Sequence, residues 1–439
     1  MNQNNVTNSL SVKILIISGM VILLLIPTIF IQLSISERKN RQKEVVREVA
    51  SKWGNDQTLV GPILTLPIKY SKLDEFGKPK YYTKYIYLFP RQLDFQGNII
   101  PEIRYLSIFE IPVYASDINI TGTYNLSDIP ETELKKGDIA YDQAKISFQI
   151  SDMKGIGNQL SLNWNDQIFP AQAGPHHCSI LEKGFHFRSP LNPEIKEYAF
   201  AFSLALRGTK SLGFIPLGKE TTARIASPWQ HPGFMGDFLP KNREIGSNGF
   251  TAEWEIYDLN RNIPQYTDNR EFNLGESQFG ISLITPVDQY QQTTRSVKYA
   301  ILFIALTFLA FFLIEILYEK RLHPLQYLLI GSGLVLFYIL LLSLSEHMAF
   351  SLSYIISSLA LVMLISLYAR AILKDRRFMG VITAVLVSLY GFLFINLQLE
   401  DYALLLGSVG LFLILAAVMY LTRNLDWYNL YPSRGQTPG

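Results

Sequence analysis

The sequence predicts a membrane protein with six transmembrane helices, arranged as one and then five, and a large, mainly β extracytoplasmic domain inserted between helices 1 and 2. Two observations predict this fold class. A bilayer core requires about 20 apolar residues in a helix, and residues 12–33 form the first apolar run of that length. Five further runs follow in quick succession after residue 298, whereas residues 34–298 are mostly polar.

Each predicted segment follows from the limits of these runs. The five later runs cover residues 299–318, 327–344, 348–368, 380–399 and 402–422. The predicted organisation is an N-terminus (1–11), transmembrane helix 1 (12–33), a soluble domain (34–298), a five-helix bundle (299–422) and a tail (423–439). The apolar core of the first run exceeds the 7–15 residues of a secretory signal. We therefore expect an uncleaved anchor.

Loop charge predicts the orientation of the spans. Lysine and arginine collect on the cytoplasmic side of short loops. The segments after spans two, four and six contain Lys320, Arg321, Arg370, Lys374, Arg376, Arg377, Arg423 and Arg434. The two intervening loops contain Glu346, Glu400 and Asp401 and neither lysine nor arginine. This asymmetry predicts cytoplasmic N- and C-termini and a periplasmic position for residues 34–298 in the bacterial inner membrane.

One local signal opposes that orientation. Basic residues follow span one at Arg38, Lys39, Arg41 and beyond, whereas Lys13 is the basic residue near its start. The charge rule is weak for long translocated segments. The five later spans therefore decide the prediction.

Composition agrees with a membrane protein that carries a folded soluble part. Hydrophobic residues make up 49% of the chain and charged residues 17%, below the usual quarter of soluble domains. The net charge of +2 predicts no bulk attraction to nucleic acid. Because Cys178 is the single cysteine, the domain has no internal disulfide and depends on its core.

The soluble domain is predicted to begin with a helix and to continue as strands. Residues 37–53 lack proline and glycine and stop at Gly54, which predicts a helical stalk that continues span one. Apolar and polar residues then alternate in 118–124, 145–150, 198–206 and 250–256. Alternation with period two predicts strands, and turn residues such as Gly208 and Gly249 separate them. The expected product is an antiparallel sandwich or a pair of curved sheets.

Candidate metal ligands cluster in one loop of the domain. His176, His177 and Cys178 precede His186, and these side chains suit zinc or copper. Their spacing matches no structural zinc signature, and the flanking glycines and proline are typical of an ordinary loop. We therefore predict no metal and no other cofactor.

A second loop contains aromatic and imidazole side chains within residues 227–234. Trp229, His231 and Phe234 are candidate contacts with a periplasmic or envelope protein, since aromatic residues often anchor interfaces. The alternative is that Trp229 and Phe234 cover one end of the sheet.

The sequence contains no known catalytic motif, and one carboxylate lies inside a predicted span. The sequence contains no nucleophile elbow, no His-Glu-x-x-His and no phosphate-binding glycine-rich loop, so no catalytic residue is assigned. Ionisable groups within spans often mark transport paths, which makes Glu315 a candidate. It lies near the predicted cytoplasmic end, where its side chain could reach the interface, and a structural role is the alternative.

Collinear motifs carry a resemblance to a known family. They occur at residues 47–54 (REVASKWG), 57–64 (QTLVGPIL), 111–114 (IPVY), 212–218 (LGFIPLG), 227–229 (SPW), 249–254 (GFTAEW) and 279–290 (FGISLITPVDQY). In order and with six spans, the chain resembles the CreD family of bacterial inner membrane proteins from about residue 10 to about residue 425.

The resemblance implies location and context more than mechanism. Members are linked to a two-component signalling system and to envelope integrity, and they supply no catalytic residues to carry over. The favoured hypothesis is a non-enzymatic envelope-stress protein that has the lipid bilayer and an envelope protein as partners. The alternative is a transporter or lipid-handling protein in which the five later spans form a path, and an enzyme acting on peptidoglycan or lipid ranks third.

Overall fold

The computed structural model describes residues 10–73, 76, 78–135, 137–175, 177–261, 263–268, 277–284, 289–318, 322–399 and 402–424. The chain divides into two compact units, Met1–Gln42 with Val287–Gly439, and Lys43–Pro286. We call the first the membrane unit and the second the β domain. These bounds describe packing, so the predicted periplasmic segment 34–298 stays a prediction.

The described residues contain six helices that are long and apolar enough to cross a membrane, one N-terminal and five C-terminal. The prediction of six spans with a mainly β domain after the first is confirmed. The helices are α1 Leu10–Trp53, α2 Glu131–Leu134, α3 Gln289–Lys298, α4 Ala300–Leu317, α5 Pro324–Ser345, α6 Phe350–Leu373, α7 Arg376–Gln398 and α8 Ala403–Thr422. The short helices α2 and α3 are not among the six.

Helix α1 has 44 residues and includes the predicted stalk as its C-terminal part. Within the membrane unit its buried side chains recur every three or four residues, at Leu24, Thr28, Ile31 and Ile35. This spacing places them on one stripe of the helix. Many of its other apolar side chains are exposed, among them Leu15, Ile22, Phe30 and Leu33, as expected for a helix that faces lipid.

Helix ends in the membrane unit follow standard capping chemistry. Pro324 occupies the first turn of α5, and the side chain of His323 accepts a hydrogen bond from the backbone N–H of Leu325 at 3.2 Å. Asp375 caps α7 by accepting from the N–H of Arg377 at 2.9 Å. Because Lys374 ends α6 with a left-handed backbone (φ 50°), α6 and α7 are joined by a tight connection.

The β domain contains 17 strands among its described residues. They are β1 Gln57–Leu73, β2 Pro79–Leu88, β3 Gln92–Leu106, β4 Phe109–Asn125, β5 Asp138–Ile139, β6 Lys145–Ile150, β7 Ser161–Trp164, β8 Gln167–Ala173, β9 Phe185–Arg188, β10 Glu197–Thr209, β11 Ser211–Phe214, β12 Glu220–Ser227, β13 Pro232–Gly236, β14 Asn242–Gly246, β15 Gly249–Tyr257, β16 Tyr266–Thr267 and β17 Phe279–Leu283. The four predicted strand segments lie in β4, β6, β10 and β15. Gly208, which we expected in a turn, lies inside β10.

The strands form two sheets. Sheet A has the order β8–β9–β6–β1–β11–β17–β13, with β5, β2 and β16 along the far part of β1. Sheet B has the order β14–β15–β12–β3–β4–β10–β7–β8. Pairing is antiparallel except for β1 with β11 and β3 with β12. The predicted antiparallel arrangement therefore holds with two parallel exceptions.

Aromatic side chains from the two sheets pack against each other in the core. Phe148 of sheet A meets Phe202 of sheet B edge-on, with ring centroids 4.7 Å apart. Phe95 of sheet B lies 4.8 Å from Phe214 of sheet A. These contacts make the domain a sandwich. At one edge β8 pairs with β7 of sheet B through residues 167–170 and with β9 of sheet A through residues 171–173, so a single strand joins the sheets.

Candidate functional sites

Glu315 lies on the buried face of α4 and is held by several hydrogen-bond donors. Its side chain is 1% exposed and forms an ion pair with the ammonium of Lys13 in α1. The hydroxyl of Tyr327 in α5 donates to Oε2 at 3.1 Å, and the backbone N–H of Leu322 donates to Oε1 at 3.2 Å. Lys13 also donates to the carbonyl of Leu322 at 3.1 Å. We call Lys13, Glu315, Leu322 and Tyr327 the Glu315 cluster.

Burial adds to what the sequence indicated for Glu315. Its position left the side chain able to reach the interface, and in the structure the carboxylate is 1% exposed and lies among its partners. A buried carboxylate requires compensation by charge and hydrogen bonds. Lys13 and Tyr327 supply that compensation from two other helices. The pairing was not predictable from the sequence, because Lys13 and Glu315 are 302 residues apart.

Helix α1 contacts the rest of the membrane unit at two further points. A Cβ on Gly331 of α5 would lie 2.1 Å from Cδ1 of Leu24, so the glycine makes room for this leucine. Arg38 Nε lies 3.3 Å from Oε1 of Glu346, which follows α5. Contacts at Lys13, Leu24 and Arg38 therefore fix the register of α1 over about 25 residues, roughly 37 Å of helix.

The loop that contains Trp229 and His231 is anchored to the end of the sandwich. The Trp229 indole N–H donates to the carbonyls of His231 and Ile284 at 3.0 and 3.1 Å. Phe234 in β13 lies edge-on to Phe250, with centroids 6.1 Å apart. Trp229 and Phe234 are half-buried against the core, whereas His231 is exposed. The three predicted contact residues thus lie in one region, and two of them also cover the sheet end.

This region is one open edge of the sandwich. Among the described residues, β13 pairs with β17 and β14 pairs with β15, and each is the last strand of its sheet. Leu239 is 70% exposed between these strands and Ile245 is 51% exposed in β14. Unpaired strand edges offer backbone hydrogen-bonding groups to another chain. We call Trp229, His231, Phe234, Leu239 and Ile245 the open-edge surface.

The candidate metal ligands are engaged in other contacts. In His186, Nδ1 lies 2.6 Å from the carbonyl of Gly174, and Nε2 lies 3.0 Å from Oε1 of Gln172. Cys178 is 3% exposed, and burial raises the pKa of its thiol to about 11, which opposes the thiolate that metals bind. His176 lies outside the described residues. No group of three metal-binding side chains occurs among the described residues.

A polar groove of about 650 Å³ lies on the outer face of sheet B. Its lining is rich in amides, hydroxyls and carboxylates and includes Gln92, Asp94, Thr121, Thr123, Asn163, Asn165, Asp166, Glu220 and Thr222. Thr222 donates to Asp94 Oδ1 at 2.5 Å, which holds that carboxylate in place. These residues come from several strands and one loop, so no local pattern in the sequence indicates the groove. The arrangement can hydrogen-bond a polar ligand.

The motif at residues 47–64 forms the junction between α1 and β1. The Trp53 indole N–H donates to the carbonyl of Tyr114 at 3.2 Å, and the Arg104 guanidinium lies 3.6 Å from the indole ring centroid. Gln57 is fully buried and donates to the carbonyl of Arg207 at 2.9 Å. A Cβ at Gly54 would lie 2.6 Å from that same carbonyl oxygen. The motif is therefore explained by packing.

Comparisons with known proteins agree over most of the chain. A family model described as Inner membrane protein CreD matches residues 9–428. The chain is also 35% identical over 419 residues to Inner membrane protein CreD of Escherichia coli (strain K12). That alignment covers 93% of this chain and 92% of the relative.

Proposed function

The chain belongs to the CreD family of inner membrane proteins, and from this we propose that it is a non-enzymatic protein of the bacterial envelope whose β domain binds another envelope protein. The multi-pass inner-membrane location follows from the family and the six apolar helices. A periplasmic β domain and a role in envelope integrity or stress response, associated with a two-component system, are parts of the proposal.

Contacts within the membrane unit support the proposed orientation. Lys13 pairs with Glu315, so the start of α1 lies at the end of the unit where α4 finishes. Arg38 pairs with Glu346 in the segment that joins α5 to α6. By helix alternation, the basic segment around Lys374 belongs to the first end and Glu346 to the opposite end. Arg38, one of the basic residues that follow the apolar run of α1, thus has an acidic partner outside the basic end, which weakens the opposing local signal in the sequence.

The open-edge surface is the observation that carries the proposed binding function. It combines last strands of both sheets with exposed apolar side chains at Leu239 and Ile245. An extended segment of another protein can add to such an edge through backbone hydrogen bonds, with side-chain pockets giving specificity. The half-buried Trp229 and Phe234 provide a fixed aromatic floor beside it.

Site-specific photocrosslinking in intact cells tests this proposal. A photoreactive residue at His231 or Ile245 should crosslink to an envelope protein, whereas one at Leu259, which is 96% exposed elsewhere on the domain, should not. Ile245→Asp should remove the crosslink formed at position 231 and lower tolerance of cell-wall antibiotics. Equal crosslinking at 231 and 259, or unchanged tolerance after deletion of the β domain, would contradict the proposal.

The orientation has a separate test. A Leu259→Cys variant should react with a membrane-impermeant maleimide in intact spheroplasts, because this position is exposed. A fluorescent protein fused to the C-terminus should fluoresce in the cytoplasm. Labelling that requires membrane disruption would place the domain on the cytoplasmic side instead.

Transport or lipid handling is the second candidate function, and the ion pair within the membrane unit favours it. Charged groups inside a bundle often mark paths. Purified protein in liposomes should then move a substrate or lipid, and Glu315→Gln should slow that movement more than Tyr327→Phe, which keeps the charge pair. Equal rates in the wild type and Glu315→Gln would contradict this candidate.

A further inference from the structure

Four helices of the membrane unit form a closed ring in which α4 packs on α5, α5 on α6, α6 on α7 and α7 on α4. Aromatic rings from all four meet inside it. Phe337 of α5 lies 5.6 Å from Tyr354 of α6 and 4.8 Å from Tyr390 of α7, and Tyr390 lies 5.8 Å from Phe303 of α4. The Tyr354 hydroxyl donates to the Tyr390 carbonyl at 2.8 Å. The contacts place these side chains at one level of the ring.

Each helix of the ring also contributes a buried oxygen that has no hydrogen-bond partner among the described residues. These atoms are Thr307 Oγ1 in α4, Tyr338 Oη in α5, Ser357 Oγ in α6 and Tyr390 Oη in α7. Their residues are between 0 and 2% exposed. We call them the ring hydroxyls. Most buried polar groups are hydrogen-bonded, so four unpartnered hydroxyls in one bundle require a physical explanation.

The ring hydroxyls lie close to the aromatic level. Tyr390 belongs to it, and Tyr338 is next to Phe337, with ring centroids 4.9 Å apart. Thr307 and Ser357 lie about one turn beyond Phe303 of α4 and Tyr354 of α6, which is about 4.5–6 Å farther along two helices that run in the same direction. The four residues are therefore confined to about one and a half turns of the bundle.

Other hydroxyls in these helices show what a satisfied group does. Ser332, Ser358 and Thr383 each donate to a carbonyl of their own helix, at 2.9, 3.1 and 2.7 Å. That backbone bond is the usual solution for serine and threonine in membrane helices. Thr307 and Ser357 do not make it. Their hydroxyls are thus available to a partner inside the ring.

The charges of the ring decide what kind of partner fits. Charged side chains of α4–α7 lie near helix ends, at Glu315, Arg370, Arg376 and Arg377. Within α4–α7 the described residues at the level of the ring hydroxyls are uncharged, so these helices offer an ionised ligand no counter-charge there. Hydroxyls both donate and accept, and bundles commonly bind ligands between their helices.

We propose that the ring hydroxyls form an intramembrane polar site that is reached from water and holds small uncharged hydrogen-bonding molecules, water among them. The site is independent of the binding function proposed for the β domain. In a bilayer no lipid tail can satisfy these groups, so a polar occupant from the aqueous phase is the partner that matches them.

Thiol accessibility tests the site with a matched pair of neighbours. In a Cys178→Ser background, Ser357→Cys should react with methyl methanethiosulfonate at least tenfold faster than Ser358→Cys. Position 358 is the matched control, because it is also a serine and lies at nearly the same depth, but its hydroxyl is already bonded to its own helix. Equal rates, or a slower reaction at position 357, would overturn the proposal. If Ser357→Cys fails to fold, Thr307→Cys with Ala305→Cys as its control gives the same comparison.

Removal of the phenol oxygens provides an independent readout. If an aqueous occupant bonds to them, Tyr338→Phe and Tyr390→Phe should lower the Tm of the purified protein, because each loses a hydrogen bond. In a dry interior the same changes remove an unsatisfied group and should leave the Tm unchanged or raise it. A Tm that is unchanged or raised in both variants would therefore overturn the proposal.

Discussion

The Glu315 cluster predicts strong energetic coupling between α1 and the rest of the membrane unit. The Lys13 side chain is 15% exposed and that of Glu315 is 1% exposed, so solvent screens the ion pair little. Removing one member of a buried pair typically costs about 3–5 kcal/mol, because the other charge is left without compensation. Lys13→Met leaves Glu315 with the Tyr327 hydroxyl and the Leu322 N–H, which favours the lower end, about 3 kcal/mol.

A double-mutant cycle measures this coupling. Glu315→Gln should cost a similar amount, because Lys13 keeps the Leu322 carbonyl as an acceptor. The double variant Lys13→Met with Glu315→Gln should be less destabilised than the sum of the single variants, by about 2 kcal/mol, since no buried charge remains. Tyr327→Phe should cost less, about 1 kcal/mol, the usual scale of one hydrogen bond in a membrane protein.

The assay is reversible unfolding of the purified protein in mixed detergent micelles, followed by circular dichroism and fitted for the free energy of unfolding. Independent sites add within about 0.5 kcal/mol. If the effects of Lys13→Met and Glu315→Gln add within that limit, the two residues are not coupled. The cluster would then not join α1 to α4 energetically, and the argument from its geometry would fail.

Three further predictions follow from single positions. Gly331→Val should lower the free energy of unfolding by about 1–3 kcal/mol, because the larger side chain overpacks against Leu24. Gly333→Val is the control: its added Cβ would meet its nearest atom at 3.7 Å, so it should cost less than about 1 kcal/mol. Unfolding in detergent measures both. Burial holds the pKa of His186 below its ordinary value of 6.5. Its contribution to stability is therefore complete above pH 6.5 and is lost as pH falls through the folded-state pKa. Thermal melts between pH 7.5 and 5 should show a fall in Tm that is smaller in His186→Gln. Burial raises the Cys178 pKa from 9.0 to about 11. Its reaction with maleimide at pH 7.5 should therefore be roughly 100-fold slower in the folded than in the unfolded protein, and a loss of less than tenfold would contradict its burial.

The sequence predicted those features that depend on local pattern. Apolar run length identified the six helices, and period-two alternation identified the strands around residues 118–124 and 198–206. The stop at Gly54 was also readable, because a helix that ends at Trp53 needs a residue free to adopt φ 143°. Gly208 was misassigned, since its role is to admit the Tyr114 ring rather than to turn the chain: an added Cβ would lie 2.3 Å from the Tyr114 hydroxyl.

Features that depend on distant parts of the chain were not predictable. The partner of Glu315 is 302 residues away, and nothing in the pattern around Lys13 indicates the pairing. The ring hydroxyls come from four helices whose serine, threonine and tyrosine residues look ordinary in sequence. The two parallel strand pairs join segments more than 100 residues apart, for example Gln92 with Glu220. Tertiary packing decides these features, and no local rule reports it.

The strand that belongs to both sheets makes the sandwich one-sided. Strand β8 closes one flank of the sandwich by hydrogen bonding to β7 and to β9. The last strands of the two sheets, β13 and β14, lie at the opposite flank, where another chain could pair with them. A guest strand that pairs with β13 or with β14 would therefore lengthen its sheet in one direction only, away from the flank that β8 closes.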